Sequence, residues 1–171
     1  EIYIMSAITF YSLSDYNNGS LIPFTIDLSE VNDKEEYYTA MNEALKDITE
    51  DLNDGDIREE WIVADFEDVP STLVGEYDLD DTYWDYKELL DDEDVDMVQA
   101  AMELGIQPDN ILDNYVGEYP NNEELFDNLG GDIIQEIEDT VPSWVCIDWK
   151  QTADNFAEDY YSENGYYFYS H

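Results

Sequence analysis

Apolar residues recur along the chain at two different periods. Residues 1–29 alternate or run apolar (Ile2, Ile4, Ile8, Phe10, then Leu21, Ile22, Phe24, Ile26, Leu28), and the intervening Asn17-Asn18-Gly19-Ser20 cluster predicts a turn joining two strands. Over 36–54 the period becomes helical, with Tyr38, Met41, Leu45, Ile48 and Leu52 on one side and Glu36, Glu43, Asp47, Glu50 and Asp54 on the other. The pattern returns over 79–92, where Leu79, Tyr83, Tyr86 and Leu90 oppose Asp81, Asp85, Glu88 and Asp92. A shorter case sets Asp132, Glu136 and Asp139 beside Ile133, Ile134 and Ile137. At about 100° per residue, each acidic set lies nearly opposite its apolar set.

The remaining segments complete a mixed α+β pattern. Residues 60–66, with Trp61, Ile62 and Val63, predict a buried strand. Residues 94–103 predict a helix with Val95, Val98 and Met102 inward and Gly105 as its stop. A short helix over 109–116, closed by Gly117, and another over 123–129, broken by Gly130-Gly131, follow. Trp144, Val145, Ile147, Trp149 and Phe156 recur at roughly helical spacing across 142–160, and 166–169 reads as a final strand. Seams near Asp54-Gly55-Asp56 and Gly105 divide the chain into an α/β segment 1–56, a mostly helical segment 57–105 and an α/β segment 106–171.

Charge changes this picture. The 171 residues carry 45 acids against 5 bases, a formal net charge of −40. The acids are not a tail, because they sit on the same elements that supply the apolar stripes. Like charges at i,i+4 destabilise a helix by about 0.2–0.5 kcal/mol per pair, and this chain repeats that arrangement in three segments. A net charge of about 2–8 would suffice for solubility. At 15% aromatic and 43% apolar, the composition is that of a folding chain and not of a disordered acidic segment.

The sign of the charge excludes nucleic acid and anionic membrane surfaces as partners, since both require clustered Lys and Arg. No apolar run approaches the ~20 residues of a membrane span. The opening residues lack the pattern of a secretory leader, and the single cysteine, Cys146, sits in an apolar run that reads as core; a reducing cytoplasm is the expected compartment. Zinc-type sites and catalytic triads need His or Cys, and the only His is His171. No glycine fits an EF-hand: Gly55 comes nearest, but Leu52 and Trp61 occupy ligand positions. With so many carboxylates no particular pair points to a hydrolase. No enzyme activity, cofactor or metal is expected. Two further readings are a halophile's hydrating surface and a protein that sequesters a basic partner.

Specific stretches add a resemblance. Residues 2–28 as strand–turn–strand before an acidic helix, Glu60-Trp61-Ile62-Val63-Ala64-Asp65-Phe66-Glu67 with Gly75-Glu76-Tyr77, Asp113-Asn114-Tyr115-Val116-Gly117-Glu118-Tyr119, and Val141-Pro142-Ser143-Trp144-Val145-Cys146-Ile147-Asp148-Trp149 resemble the ArdA antirestriction proteins of phages and mobile elements. Asp154-Asn155-Phe156 stands where that family has a Gly-Arg-acid-Leu run, and the final hairpin is short. The resemblance implies an elongated, curved arrangement of three small α/β domains with an acidic surface, forming a homodimer through the third. It implies a cytoplasmic DNA mimic that occupies the basic DNA-binding groove of a type I restriction–modification enzyme, with a CRISPR nuclease or nucleoid protein as alternative targets. The residues expected to imitate phosphates are Glu43, Asp47, Glu50, Asp81, Asp85, Glu88, Asp91, Asp92, Glu93, Asp94, Asp96, Glu118, Asp132, Glu136 and Asp139.

Overall fold

In the computed structural model the described residues are 5–170; the strand positions Ile2 and Ile4 and the terminal His171 lie outside them. The fold is mixed α+β, and the chain divides into two compact units, Glu1–Trp84 and Asp85–His171.

The first unit is built on an antiparallel sheet of β1 (Ala7–Ser12), β2 (Pro23–Asp27) and β3 (Trp61–Glu67), in the order β2-β1-β3. Alternation buries Ile8 and Phe10 of β1 with Phe24 and Ile26 of β2, Phe10 lying opposite Phe24. The turn expected between the first two strands contains a short helix, α1 (Leu13–Asn17), capped by the Ser12 hydroxyl, which accepts from the Asp15 N–H at 3.2 Å. The long helix α2 (Lys34–Leu52) begins with reciprocal caps. Asp33 accepts from the Glu36 N–H at 2.8 Å, and Glu36 reaches back to the Asn32 N–H at 2.9 Å.

Tyr37, Met41 and Leu45 are the buried residues of α2; Tyr38 and Ile48 are half-buried and Leu52 is exposed, so the inward stripe is rotated from the one expected. Rings link the sheet to the helices. Centroids lie 6.4 Å apart for Phe10–Trp61, 6.1 Å for Trp61–Tyr38, 5.2 Å for Tyr38–Tyr37 and 5.4 Å for Tyr37–Trp84. The strand over 60–66 is not buried as expected: β3 pairs with β1 at the sheet's edge, its first three residues are half-buried and Ala64–Glu67 are exposed.

Arg58 is the buried cation of this unit. Its Nε and Nη2 donate to the two carboxylate oxygens of Asp15 at 2.9 and 2.8 Å, and Nη1 and Nη2 donate to Asp54 at 3.1 and 2.7 Å. The planar fork thereby ties α1 to the segment that leads into β3.

The second unit takes most of α3 (Tyr83–Asp92), then α4 (Val95–Glu103), α5 (Ile111–Asn114), β4 (Tyr115–Glu118), α6 (Asn122–Leu129), α7 (Gly131–Thr140), α8 (Trp149–Phe156), β5 (Tyr160–Glu163) and β6 (Tyr166–Tyr169). Its sheet has the order β4-β6-β5, all antiparallel. A two-residue turn joins β5 to β6, with Asn164 and Gly165 both in the left-handed region at φ 51° and 87°. Leu89, Met97, Val98, Ala100, Ala101, Ile111, Tyr166 and Phe168 form its core.

Three local expectations change here. Val95 is exposed and Met102 half-buried, and Met97, Ala100 and Ala101 join Val98 inside, so the inward face of α4 is turned from the one expected. The helix expected over 109–116 stops at Asn114, because Tyr115 and Gly117 pair with β6. Helical order within 142–160 is confined to α8 and the 3₁₀ turn Ala157–Asp159, and Cys146 is exposed instead of core. At the break between α6 and α7, Gly130 is required by space: a Cβ there would lie 2.6 Å from the Phe126 ring.

Arg58 generates a stability prediction. Arg58→Ala leaves the buried Asp15 carboxylate without its cation and is expected to cost about 3–5 kcal/mol in urea unfolding. The hydrogen bonds from Arg58 hold Asp15 below its ordinary pKa and bring Asp54 down to about 2. Depressed carboxylate pKa values stabilise the fold above the ordinary range and lose that effect as pH falls through the folded-state value. The stability gap between wild type and Arg58→Ala is therefore expected to be constant from neutral pH to about 5 and to close toward pH 2.

Candidate anionic interface

Asp15 alone among the described acids is buried; Asp27, Asp78, Asp154 and Glu163 are half-buried, and every other described acid is exposed. Each of the residues expected to imitate phosphate belongs to the exposed set. In the first unit, Glu43, Asp47 and Glu50 follow one another on α2, away from the buried Tyr37, Met41 and Leu45. In the second, Asp85, Glu88, Asp91 and Asp92 stand on α3, Glu93 and Asp94 in the turn after it, and Asp96 in the first turn of α4. Asp132, Glu136 and Asp139 form a further row on α7, and Glu118 stands apart at the end of β4.

The rows are not uniform in charge. Asp81 lies before α3 and not on it, and accepts from Lys34 Nζ. Glu50 sits 3.7 Å from Lys46 Nζ one turn back. Asp94 is occupied as the N-cap of α4, accepting from the N–H groups of Asp96 at 2.9 Å and Met97 at 3.3 Å. Asp139 accepts from Gln135 Nε2 at 3.0 Å. Of the acids not singled out from the sequence, Asp78 has the most elaborate setting. Its two oxygens accept from the hydroxyls of Tyr37 at 2.7 Å and Tyr38 at 2.8 Å, and Oδ1 also accepts from the Leu79 N–H. Burial and then that hydrogen bond push the Tyr38 hydroxyl up to about 12 and the Tyr37 hydroxyl higher still, so both remain donors at neutral pH. The 40-residue separation hides this cluster from any periodicity.

Acids also occupy unfavourable helix ends. The negative pole of a helix favours Lys, Arg or His in its last turn, yet none of the described α-helices has a base there, and α3 ends on Asp91-Asp92. No described cluster of His, Cys, Asp and Glu is arranged to hold a metal, and no described helix is long and apolar enough to cross a membrane. The surface is thus suited to non-covalent attraction of a cationic partner.

The model of the antirestriction protein family ArdA matches residues 10–168. The chain belongs to the ArdA antirestriction family. No curated protein and no solved structure matches it. Family membership assigns this ArdA chain an antirestriction role and restriction–modification enzymes as its interaction class.

The placement of acids at helix C-termini opposes stability and generates a prediction. Asp92→Lys is expected to raise the thermal midpoint by about 1–4 °C, measured by circular dichroism at low salt, by relieving the negative pole of α3. The gain is expected to shrink as salt is added.

Proposed function

We propose that the chain inhibits restriction as a DNA mimic, occupying the basic DNA-binding groove of a type I restriction–modification enzyme. The observation that carries this reading is the set of exposed carboxylate rows on α2, α3 and α7, placed where they weaken their own helices. Lys and Arg side chains that receive phosphates donate equally to carboxylates, so occupancy alone blocks DNA and no bond is made or broken. In this reading the chain presents its carboxylate rows along a curved, elongated surface, and the inhibitor works in the host cytoplasm.

A homodimer is part of the same proposal. Amphipathic α7 has no buried residue: Ile133 is 51% exposed, and Trp144 beyond its end is 80% exposed. A helix that does not bury its apolar stripe gains little from packing. A second copy meeting this face would bury those residues, lengthen the anionic surface and leave the acids of the other rows outside.

Competition between the protein and labelled duplex DNA for a purified type I enzyme, run across a salt series, tests the first part. Displacement is expected to weaken steeply with salt. Combined Glu43→Gln, Asp47→Asn, Asp85→Asn, Glu88→Gln and Asp92→Asn changes are expected to weaken it more than about tenfold, and each single change less than about fivefold. Glu50→Gln and Asp81→Asn, whose carboxylates already hold lysines, are expected to matter least. Full inhibition by the combined variant overturns the reading. For the dimer, Ile133→Glu with Trp144→Ser is expected to halve the mass found by sedimentation equilibrium, and a wild type that sediments as a monomer removes that part.

A further inference from the structure

A hollow of about 440 Å³ opens in the first unit where the chain enters β3. Leu13, Trp61 and Tyr77 give it apolar walls, and Glu59, Glu60 and Asp78 line it as well. Exposed Ile57, with Ser14, lines a smaller hollow that shares Glu59 and Glu60 with it. On a chain whose surface is dominated by carboxylates, this is an aromatic recess set among charges. A duplex has no such feature for a mimic to copy.

We propose that this recess receives an arginine side chain of the protein partner. The proposal rests on the groove-binding reading for the protein that supplies the arginine, and on the geometry of the recess for the rest. Guanidinium is planar, weakly hydrated and able to stack on an aromatic face, whereas ammonium holds its water more tightly. Trp61 packs against the Phe10 and Tyr38 rings, at 6.4 and 6.1 Å, and these contacts hold its indole in place as part of the wall. Tyr77 is 52% exposed and can cover a guest.

The charges complement the same guest. Arg58, adjacent to Glu59 in sequence, is turned inward to Asp15 and Asp54 and does not reach over Glu59 and Glu60. The Glu60 backbone is pinned, its carbonyl accepting from the Leu13 N–H at 2.9 Å. Asp78 has both oxygens held by Tyr37 and Tyr38, so it contributes a fixed negative field at the inner wall. A guanidinium entering the hollow lined by Trp61 and Tyr77 would meet aromatic rings and carboxylates together. Buried aromatic and arginine contacts of this kind dominate the energy of protein interfaces, while rim charges chiefly steer encounter.

The intact protein, labelled with ¹⁵N, is titrated with ethylguanidinium or ethylammonium chloride at constant ionic strength, while the Trp61 indole N–H resonance is followed. A saturable shift with ethylguanidinium, weaker with ethylammonium, is expected. Tyr77→Ala, a change at an exposed ring, is expected to weaken the guanidinium affinity about two- to fivefold. The double change Glu59→Gln, Glu60→Gln is expected to weaken it further, and Asp139→Asn to leave it unchanged. Equal responses to the two cations, a shift that never saturates, or affinity untouched by Tyr77→Ala overturns the proposal. No restriction enzyme enters this titration, so its failure removes the recess and leaves the groove reading standing. Failure of the DNA competition does the reverse.

Discussion

Scarcity of cations is the constraint on which the rest of the structure depends. With 45 acids and 5 bases, the fold cannot neutralise its carboxylates by pairing them. Beyond the few that reach a base, such as Asp15 with Arg58, those that need a partner take neutral donors. Asp33, Asp94 and Asp148 accept backbone N–H groups as helix caps, Asp27, Asp54 and Asp80 close tight turns, and Asp78 collects two tyrosine hydroxyls. Such bonds are short-range and survive salt, whereas the repulsion between rows is long-range and screened by it.

The aromatic content follows from the same constraint. Each unit must offset self-repulsion with dense apolar contact while leaving its surface to carboxylates. Rings do this with few residues. One connected series runs from Phe10 through Trp61, Tyr38 and Tyr37 to Trp84, and another from Trp149 through Phe126, Phe156 and Tyr160 to Tyr169. Tyrosine suits this chemistry because its hydroxyl supplies a donor that a phenylalanine lacks.

Elements with a clean period were legible before the structure. α2, α7 and β2 lie where spacing predicts them, because each has one face that repeats, and β6 lies where a continuous aromatic run does. The errors share a cause: the residue types are right but the tertiary setting decides the outcome. Trp61-Ile62-Val63 is apolar enough for a central strand, yet β3 is an edge strand. Tyr115 continues a helical spacing, yet its backbone is taken by β6. Ile133, Ile134 and Ile137 form a core-like stripe, yet α7 buries none of them within the chain. For the candidate interface, exposure of the acidic rows was readable from amphipathicity. The pairing of Asp81 with Lys34 and the hollow that Trp61 and Tyr77 line together were not, since both join residues apart in sequence.

The inward position of Arg58 has a consequence for behaviour in a crowded cell. It is the chain's only guanidinium, and its side chain is 1% exposed. Among the described residues the exposed cations are therefore ammonium groups, and Lys34, Lys46 and Lys150 rest against neighbouring carboxylates. Among the described residues no flat cationic plate is presented on which the acids of another molecule could lock. Ionic contact between copies is thereby reduced to single-point lysine pairs, and any closer association would have to come from apolar faces such as that of α7.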